Sequence, residues 1–326
     1  MKSFSFLLIL VVIVIYFSCS GSDDESDRMQ DNQLMGSNCT QPNLKIDVNI
    51  NRKFCGNDDC LFQFAGYWWW TNYEFKNASE YFYNQGQNWS PRNPVFQADG
   101  IHLRVRKDDL GEGKLRWMAS EVVAVFENDK RTLFKTGYGT YLVSVKVLTA
   151  DSWDKLDRNV VFGAFTYQRD KSGNMNNPYL ELDLAEISRW GAPPCSNLLD
   201  QRLCSGNAQF AVQLWDSDQD NVHRYSISTG VKEITLVMKW TKGNTPVTFS
   251  QYNGLYNLEN LPSSPANSWT TDSDQNKFIP FDQCQLFHMN LWMGNYKEKG
   301  QDNDHPGPSN GQDQEVVVTN FQYKPL

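Results

Sequence analysis

The stretch Glu181-Leu182-Asp183-Leu184-Ala185-Glu186 sets three carboxylates among small and apolar neighbours, within a segment, Tyr179 to Trp190, that reads YLELDLAEISRW. In a regular strand Glu181, Asp183 and Ala185 share one face and Glu186 points the other way. A one-residue β-bulge around Ala185 returns Glu186 to the face of Glu181 and Asp183. Leu182, Leu184 and Ile187 then share the opposite, apolar face. A regular strand would bury a glutamate, so the bulged strand is expected. Three like charges on one face destabilise a sheet, and something must compensate, either a metal or a catalytic task. Two carboxyl groups about 5–5.5 Å apart cleave glycosidic bonds with retention of configuration. Glu181 and Glu186 start ~13 Å apart at Cα, four pleat steps of roughly 3.3 Å. Two long side chains leaning inward close that gap over a bound sugar, and Asp183 between them can hydrogen-bond one carboxyl.

The elements that must carry this strand are themselves strands. Ile101, Leu103 and Val105 alternate with polar neighbours, as do Tyr141, Val143, Val145 and Val147, and again Ile234, Leu236, Met238 and Trp240. Glu315 to Tyr323 is a further β-rich run. This period of two marks half-buried strands, and turn residues such as Ala98-Asp99-Gly100 and Lys242-Gly243-Asn244 separate them. No long segment carries a helical stripe. The expected fold is all-β, a concanavalin A-like jelly-roll sandwich of two packed antiparallel sheets. Aromatic residues make up 13% of the chain, and a sandwich core uses many of them. In Tyr67-Trp68-Trp69-Trp70, however, neighbours fall on opposite faces, so some of these rings must point outward or line a groove.

On these residues the chain resembles glycoside hydrolase family 16, the laminarinases, agarases, carrageenases and lichenases. The family signature Glu-x-Asp-x-x-Glu matches Glu181, Asp183 and Glu186. Gly137-Tyr138-Gly139-Thr140-Tyr141, Phe162-Gly163-Ala164-Phe165, Met289-Asn290-Leu291-Trp292 and the run from Glu315 to Tyr323 resemble further family strands in the same order. The resemblance implies that Glu181 is the nucleophile, Asp183 the assisting carboxylate and Glu186 the general acid/base of a double displacement on an extracellular β-linked glucan or galactan. Trp190, Trp215 and Trp292 are the candidate stacking platforms for sugar rings, with Arg189, Asn290 and Gln213 as further substrate contacts. Ser188-Arg189-Trp190-Gly191 is similar to one branch of the family. The sequence departs from the family at three places. The Trp-Pro of the upstream strand is absent, Gln213 stands in place of a histidine, and Asn320 stands where an aspartate often helps hold a structural calcium. No cofactor is expected.

The ends bound the setting. Lys2 precedes the apolar run Phe6 to Phe17, which is too short for a membrane span of about 20 residues but suits a signal peptide. Ser18-Cys19 resembles a bacterial lipoprotein cleavage site, with Cys19 the lipidated residue. The acidic stretch after it resembles the surface-export tether of lipoproteins in the Bacteroidetes group. The organisation expected is a signal peptide over 1–19, a flexible acidic tether over 20–45 and a single β-sandwich domain over 46–326, exported, anchored to a membrane through lipid on Cys19 and monomeric. Six cysteines remain, Cys39, Cys55, Cys60, Cys195, Cys204 and Cys284. An even number suits disulfides outside the cell, with Cys55–Cys60, Cys195–Cys204 and Cys39–Cys284 the simplest of about 15 pairings. The net charge of −8 disfavours nucleic acid and suits a neutral polymer. Asp216 to Asp220 opens like a calcium loop but lacks its glycine and closing glutamate. Two other readings share the fold: a non-catalytic glycan-binding lipoprotein, and a structural lipoprotein whose acidic face holds calcium.

Overall fold

A computed structural model describes residues 60–71, 83–84, 87–109, 113, 115–126, 134, 136–167, 177, 180–190, 206–213, 221–281, 285–294 and 307–326. The expected signal peptide, tether and lipidation site at Cys19 lie outside the described residues, as does Trp215. Of the six cysteines only Cys60 is described, buried ahead of the first strand, so the expected pairings also lie outside.

Eighteen strands run through the described residues: β1 (Leu61–Phe64), β2 (Tyr67–Trp70), β3 (Tyr83–Asn84), β4 (Gln87–Asn88), β5 (Val95–Gln97), β6 (Gly100–Asp108), β7 (Arg116–Met118), β8 (Ser120–Phe126), β9 (Gly139–Val147), β10 (Val160–Tyr167), β11 (Leu182–Ser188), β12 (Ala208–Val212), β13 (Val222–Tyr225), β14 (Glu233–Trp240), β15 (Val247–Asn253), β16 (Asn267–Thr270), β17 (Leu286–Met293) and β18 (Gln314–Pro325). Helix among these residues is limited to the short segments Trp153–Lys155 and Ser273–Asn276. A front sheet runs β1-β2-β8-β17-β10-β11-β12-β13, and a back sheet runs β16-β15-β14-β9-β18-β6-β5 with β7 paired to β6. The strand pairs are antiparallel. The all-β jelly-roll sandwich is therefore present as expected, and the acidic strand, β11, lies well inside the front sheet.

Alternation decides what fills the space between the sheets. Ile101, Leu103 and Val105 of β6, Tyr141, Val143, Val145 and Val147 of β9, and Ile234, Leu236, Met238 and Trp240 of β14 are all fully buried in one core. On the other face of β6, Arg104 and Arg106 hydrogen-bond to Asn93. In β2 the rings divide by face. Tyr67 and Trp69 pack in the main core, whereas Trp68 and Trp70 turn to the outer side of the front sheet. There they pack with Leu61, Val123, Val125 and Leu286 in a second, smaller apolar cluster.

Aromatic contacts tie the sheets together at both ends. Phe321 of β18 meets Trp69 edge-on at 5.1 Å, Tyr67 at 5.3 Å and Phe287 of β17 at 4.8 Å. At the far edge Phe210 of β12 stacks on Phe249 of β15 at 5.5 Å, and His223 of β13 stacks on Trp269 of β16 at 5.7 Å. Each such pair adds about 0.5–1.5 kcal/mol beyond the area it buries. Truncating the Phe321 hub, by Phe321→Ala, is expected to lower the unfolding free energy by ~3–5 kcal/mol. Leu115→Ala, at a side chain that is 69% exposed, is expected to stay within ~0.5 kcal/mol. Equilibrium denaturation of the two variants checks both.

Candidate active site

The site is built on the bulge in β11. Against β10, Ala185 pairs with Ala164 and Asp183 with Phe165, so Leu184 is the extra residue. Against β12, Asp183 pairs with Ala211 and Glu186 with Gln209, so Leu184 and Ala185 together face Phe210. Both neighbours register the same insertion. Asp183 and Glu186 therefore lie opposite Phe165 and Gly163, two residues apart on one face of β10. Leu182, Leu184, Ala185 and Ile187 all enter the core. Two residues of left-handed backbone bracket the strand, Leu180 at φ 49° and Trp190 at φ 47°. Conformations of this kind cost ~1–3 kcal/mol for a side chain with a Cβ, so the surroundings must hold them. The backbone N–H of Leu180 donates to the Asn177 carbonyl at 3.0 Å, and that of Trp190 donates to Ser188 Oγ at 3.0 Å. Asn177 is fully buried and holds Glu181 from both sides, accepting from its N–H at 3.0 Å and donating to its carbonyl at 3.1 Å.

Registers across the front sheet set the neighbours of each carboxylate. The row through Glu186 reads Glu121, Asn290, Gly163, Glu186, Gln209, Arg224 from β8 to β13. The row through Asp183 holds Val123, His288, Phe165, Asp183, Ala211 and Val222. Gly163 leaves room in the first row, since a Cβ there would stand 2.4 Å from Asn290 Oδ1 and displace that side chain. Asn290 Nδ2 donates to Glu121 at 3.3 Å, and Glu121 also lies 3.5 Å from His288 Nδ1. The His288 ring is nearly parallel to Phe165 at 5.2 Å. Gln213 follows β12 and reaches Asp183, its Nε2 donating to Oδ2 at 2.7 Å. Gln209 Nε2 donates to Glu186 Oε2.

Asp183 is almost wholly buried, while Glu181 and Glu186 keep part of their surface open to the face. All three hold protons more tightly than ordinary carboxyls. Burial and the charge of Glu186 push Glu181 up to about 8, against a hydrogen bond from Asp183 that favours its charged form. Burial, then Glu181 and Glu186, raise Asp183 well above its usual range, and its hydrogen bond to Glu181 adds to this. Burial also raises Glu186, opposed by the Gln209 hydrogen bond and the Arg224 charge. Glu181 and Asp183 are hydrogen-bonded to each other, so they titrate as a pair.

The other expected contacts divide. Asn290, Gln213 and Trp292 share the face of the carboxylates. Trp292 is half-buried, opposite Val161, which in turn pairs with Ser188. Arg189 is half-buried just past the end of β11. Trp190 is placed differently from a sugar platform. It is 4% exposed, and the Arg224 guanidinium lies over its ring, 4.7 Å from the centroid. In this conformation the ring serves the arginine. Gln209, Arg224, Glu121, His288 and Asn177 are site residues that the motif did not reveal. For Gln209 the signal was present, since Gln209, Ala211 and Gln213 alternate in one strand. Among the described residues no group of three or more His, Cys, Asp or Glu side chains is arranged to hold a metal ion.

No protein-family profile and no curated protein matches the chain. Solved structures do match. A mutant of SCLam, a non-specific endo-β-1,3(4)-glucanase from family GH16, aligns with a TM-score of 0.50 at 14% identity, over 78% of this chain and 87% of that one. The fold is the GH16 jelly roll. A lichenase derived from a mouse hindgut metagenome gives 0.49 at 15% identity over 81% and 96% of the two chains. A Bacteroides ovatus GH16 protein in complex with a G4G4G3G product gives 0.49 at 12% over 81% and 97%. At 14% identity the likeness to the SCLam mutant is one of fold, and the chemistry of this chain has to be argued from its own residues.

The raised carboxyls make stability depend on pH with a definite sign. A folded chain that binds protons more tightly than the unfolded one is stabilised below the ordinary carboxylate value, and it loses that stability as pH rises through the folded value. For Glu181 the window runs from 4.5 to about 8. Glu181→Gln has no proton to lose and keeps an acceptor for Asp183. Its melting temperature is expected to fall less than that of the wild type between pH 5 and pH 8, leaving the variant the more stable at pH 8. Thermal melts of both proteins across that range check this, and parallel curves would contradict it.

Proposed function

We propose that this GH16-like chain is a retaining endo-glycosidase acting on an extracellular β-linked polysaccharide, with a β-glucan as the first substrate to test. The observation that carries the reading is the bulge, which returns Glu186 to the face of Asp183 and gives the two sides of the site different partners. The attack needs Glu181 ionised, and Asp183, buried beside it, supplies the hydrogen bond that favours its charged form. Glu186 starts as the acid, its hold on the proton strengthened by burial.

The reaction then runs in two displacements. The Glu186 hydroxyl gives its proton to the glycosidic oxygen, that oxygen leaves with its half of the chain, and a Glu181 oxygen bonds to the anomeric carbon. Glu186, now a carboxylate, takes a proton from water. The resulting hydroxide attacks the same carbon and releases Glu181. Trp292, Asn290 and Gln213 border the face on which the sugar would lie. The activity of SCLam, an endo-β-1,3(4)-glucanase, supports trying glucans first. The apolar run Phe6 to Phe17 and Cys19 support export and lipid anchoring, which would bring the domain to polymers too large to enter a cell.

The test is reducing-sugar release from laminarin, mixed-linkage glucan, agarose, porphyran and carrageenans by the wild type, Glu181→Gln and Glu186→Gln. The wild type is expected to cleave one polymer class. Glu186→Gln is expected to be slower by about 10²–10⁴-fold, and Glu181→Gln to be inactive. Binding of a polymer without release by the wild type would favour the glycan-binding alternative.

A further inference from the structure

Gln209 occupies a position in the sheet that the double displacement does not by itself explain. It stands opposite Glu186 in the β11–β12 register and opposite Arg224 in the β12–β13 register. Its Nε2 donates to Glu186 Oε2. Its Oε1 is buried and has no hydrogen-bond partner, and the residue as a whole is 5% exposed. A buried amide left half-satisfied costs free energy, so its retention beside a carboxyl calls for a reason. An amide is the one neutral side-chain group that can offer a carboxylate two N–H donors or, after half a turn, offer a carboxylic acid an oxygen acceptor. The orphaned Oε1 is the acceptor that a protonated Glu186 would need.

Among the described residues, the other groups around Glu186 do not serve both states. On β10 it faces Gly163, which has no side chain. Beyond Gly163, Asn290 directs its amide nitrogen to Glu121. On the other flank Arg224 favours only the charged form. Along its own strand Asp183 and Glu181 are bonded to each other. The Gln209 hydrogen bond holds the Glu186 carboxyl below the level that burial alone would give it.

We propose that Gln209 is a positioning residue that follows the proton of Glu186, its amide nitrogen holding the carboxylate and its amide oxygen accepting from the carboxylic acid. The inference rests on the hydrolase reading, in which Glu186 must be an acid in the first displacement and a base in the second. With Gln209 in place, neither state of Glu186 is left without a partner as the proton moves.

The experiment is an NMR titration of protein labelled at Glu and Gln side chains. In the wild type, the Gln209 side-chain amide resonances are expected to shift with the same midpoint as the Glu186 carboxyl carbon. In Gln209→Leu, which removes the acceptor for the acid and the stronger, charge-assisted donor to the carboxylate, the Glu186 midpoint is expected to rise by about one pH unit, a tenfold change in proton affinity. The alkaline limb of the pH–rate profile should rise with it, and hydrolysis of the glycosyl-enzyme should slow more than its formation. Gln209 resonances that stay still while Glu186 titrates would overturn the proposal, as would an unchanged Glu186 midpoint in Gln209→Leu. If that variant fails to fold, the wild-type amide titration alone decides. The titration reads the proton whether or not any polymer is cleaved, so a wild type that titrates as expected but releases no sugar would sink the hydrolase reading alone.

Discussion

The site depends on one extra residue in β11. Strand geometry alternates side chains with a period of two, and a strand packed in a sandwich must satisfy the core with every second residue. Leu182, Leu184 and Ile187 cannot all obey that rule unless the count slips once between Leu184 and Ile187. The slip at Leu184–Ala185 lets all three reach the core together with Ala185, and the same slip brings Glu186 onto the face of Asp183. Core packing and carboxylate placement are thus one constraint. The apolar burial on the back of the strand helps stabilise the unfavourable arrangement on its front. The left-handed turns at Leu180 and Trp190 end the strand sharply on both sides, so the three carboxyls sit on a short, rigid segment.

On that front face the central difficulty is charge. Three carboxyls next to each other, with Glu121 as a fourth nearby, cannot all ionise. The front sheet distributes the load unevenly. Gln213 and Glu181 hold Asp183, Gln209 and Arg224 attend Glu186, and Asn290 and His288 occupy Glu121. Glu181 is gripped by its backbone through Asn177, which leaves its carboxyl to the contact with Asp183. In the proposed hydrolase such an asymmetric set would separate an acid from a nucleophile among chemically similar groups. It also concentrates strain and unfavourable charge where function needs them, at the expense of stability.

Much of this was legible in the sequence because it follows from period and volume. The alternating runs of β6, β9 and β14 named their own buried faces, and the acidic strand announced its bulge because only a bulge sorts its six central residues by face. What was not legible depends on which strands lie side by side, a property of topology and not of local pattern. Glu121 and His288 join the site because β17 pairs with β10 and β8 with β17, and nothing in their own segments says so. Asn177 acts through a tight backbone contact at a strand entrance, where no periodicity operates. Trp190 could be read only as an aromatic near the motif. That it carries Arg224 depends on β13 lying two strands away.

The central claim is that Glu181, hydrogen-bonded to Asp183, is the group that becomes covalently attached to sugar while Glu186 handles protons. The most direct measurement is labelling with a 2-deoxy-2-fluoro β-glucosyl oligosaccharide bearing an activated leaving group, followed by intact-mass and peptide-mass analysis. Such a reagent forms the glycosyl-enzyme faster than water can release it. A mass increase of one glycosyl group, mapped to Glu181 and absent from Glu181→Gln, is the result expected. Attachment at Glu186 or Asp183 would contradict the assignment of roles. A chain that cleaves the corresponding polymer yet takes up no label on Glu181 would contradict the double displacement itself.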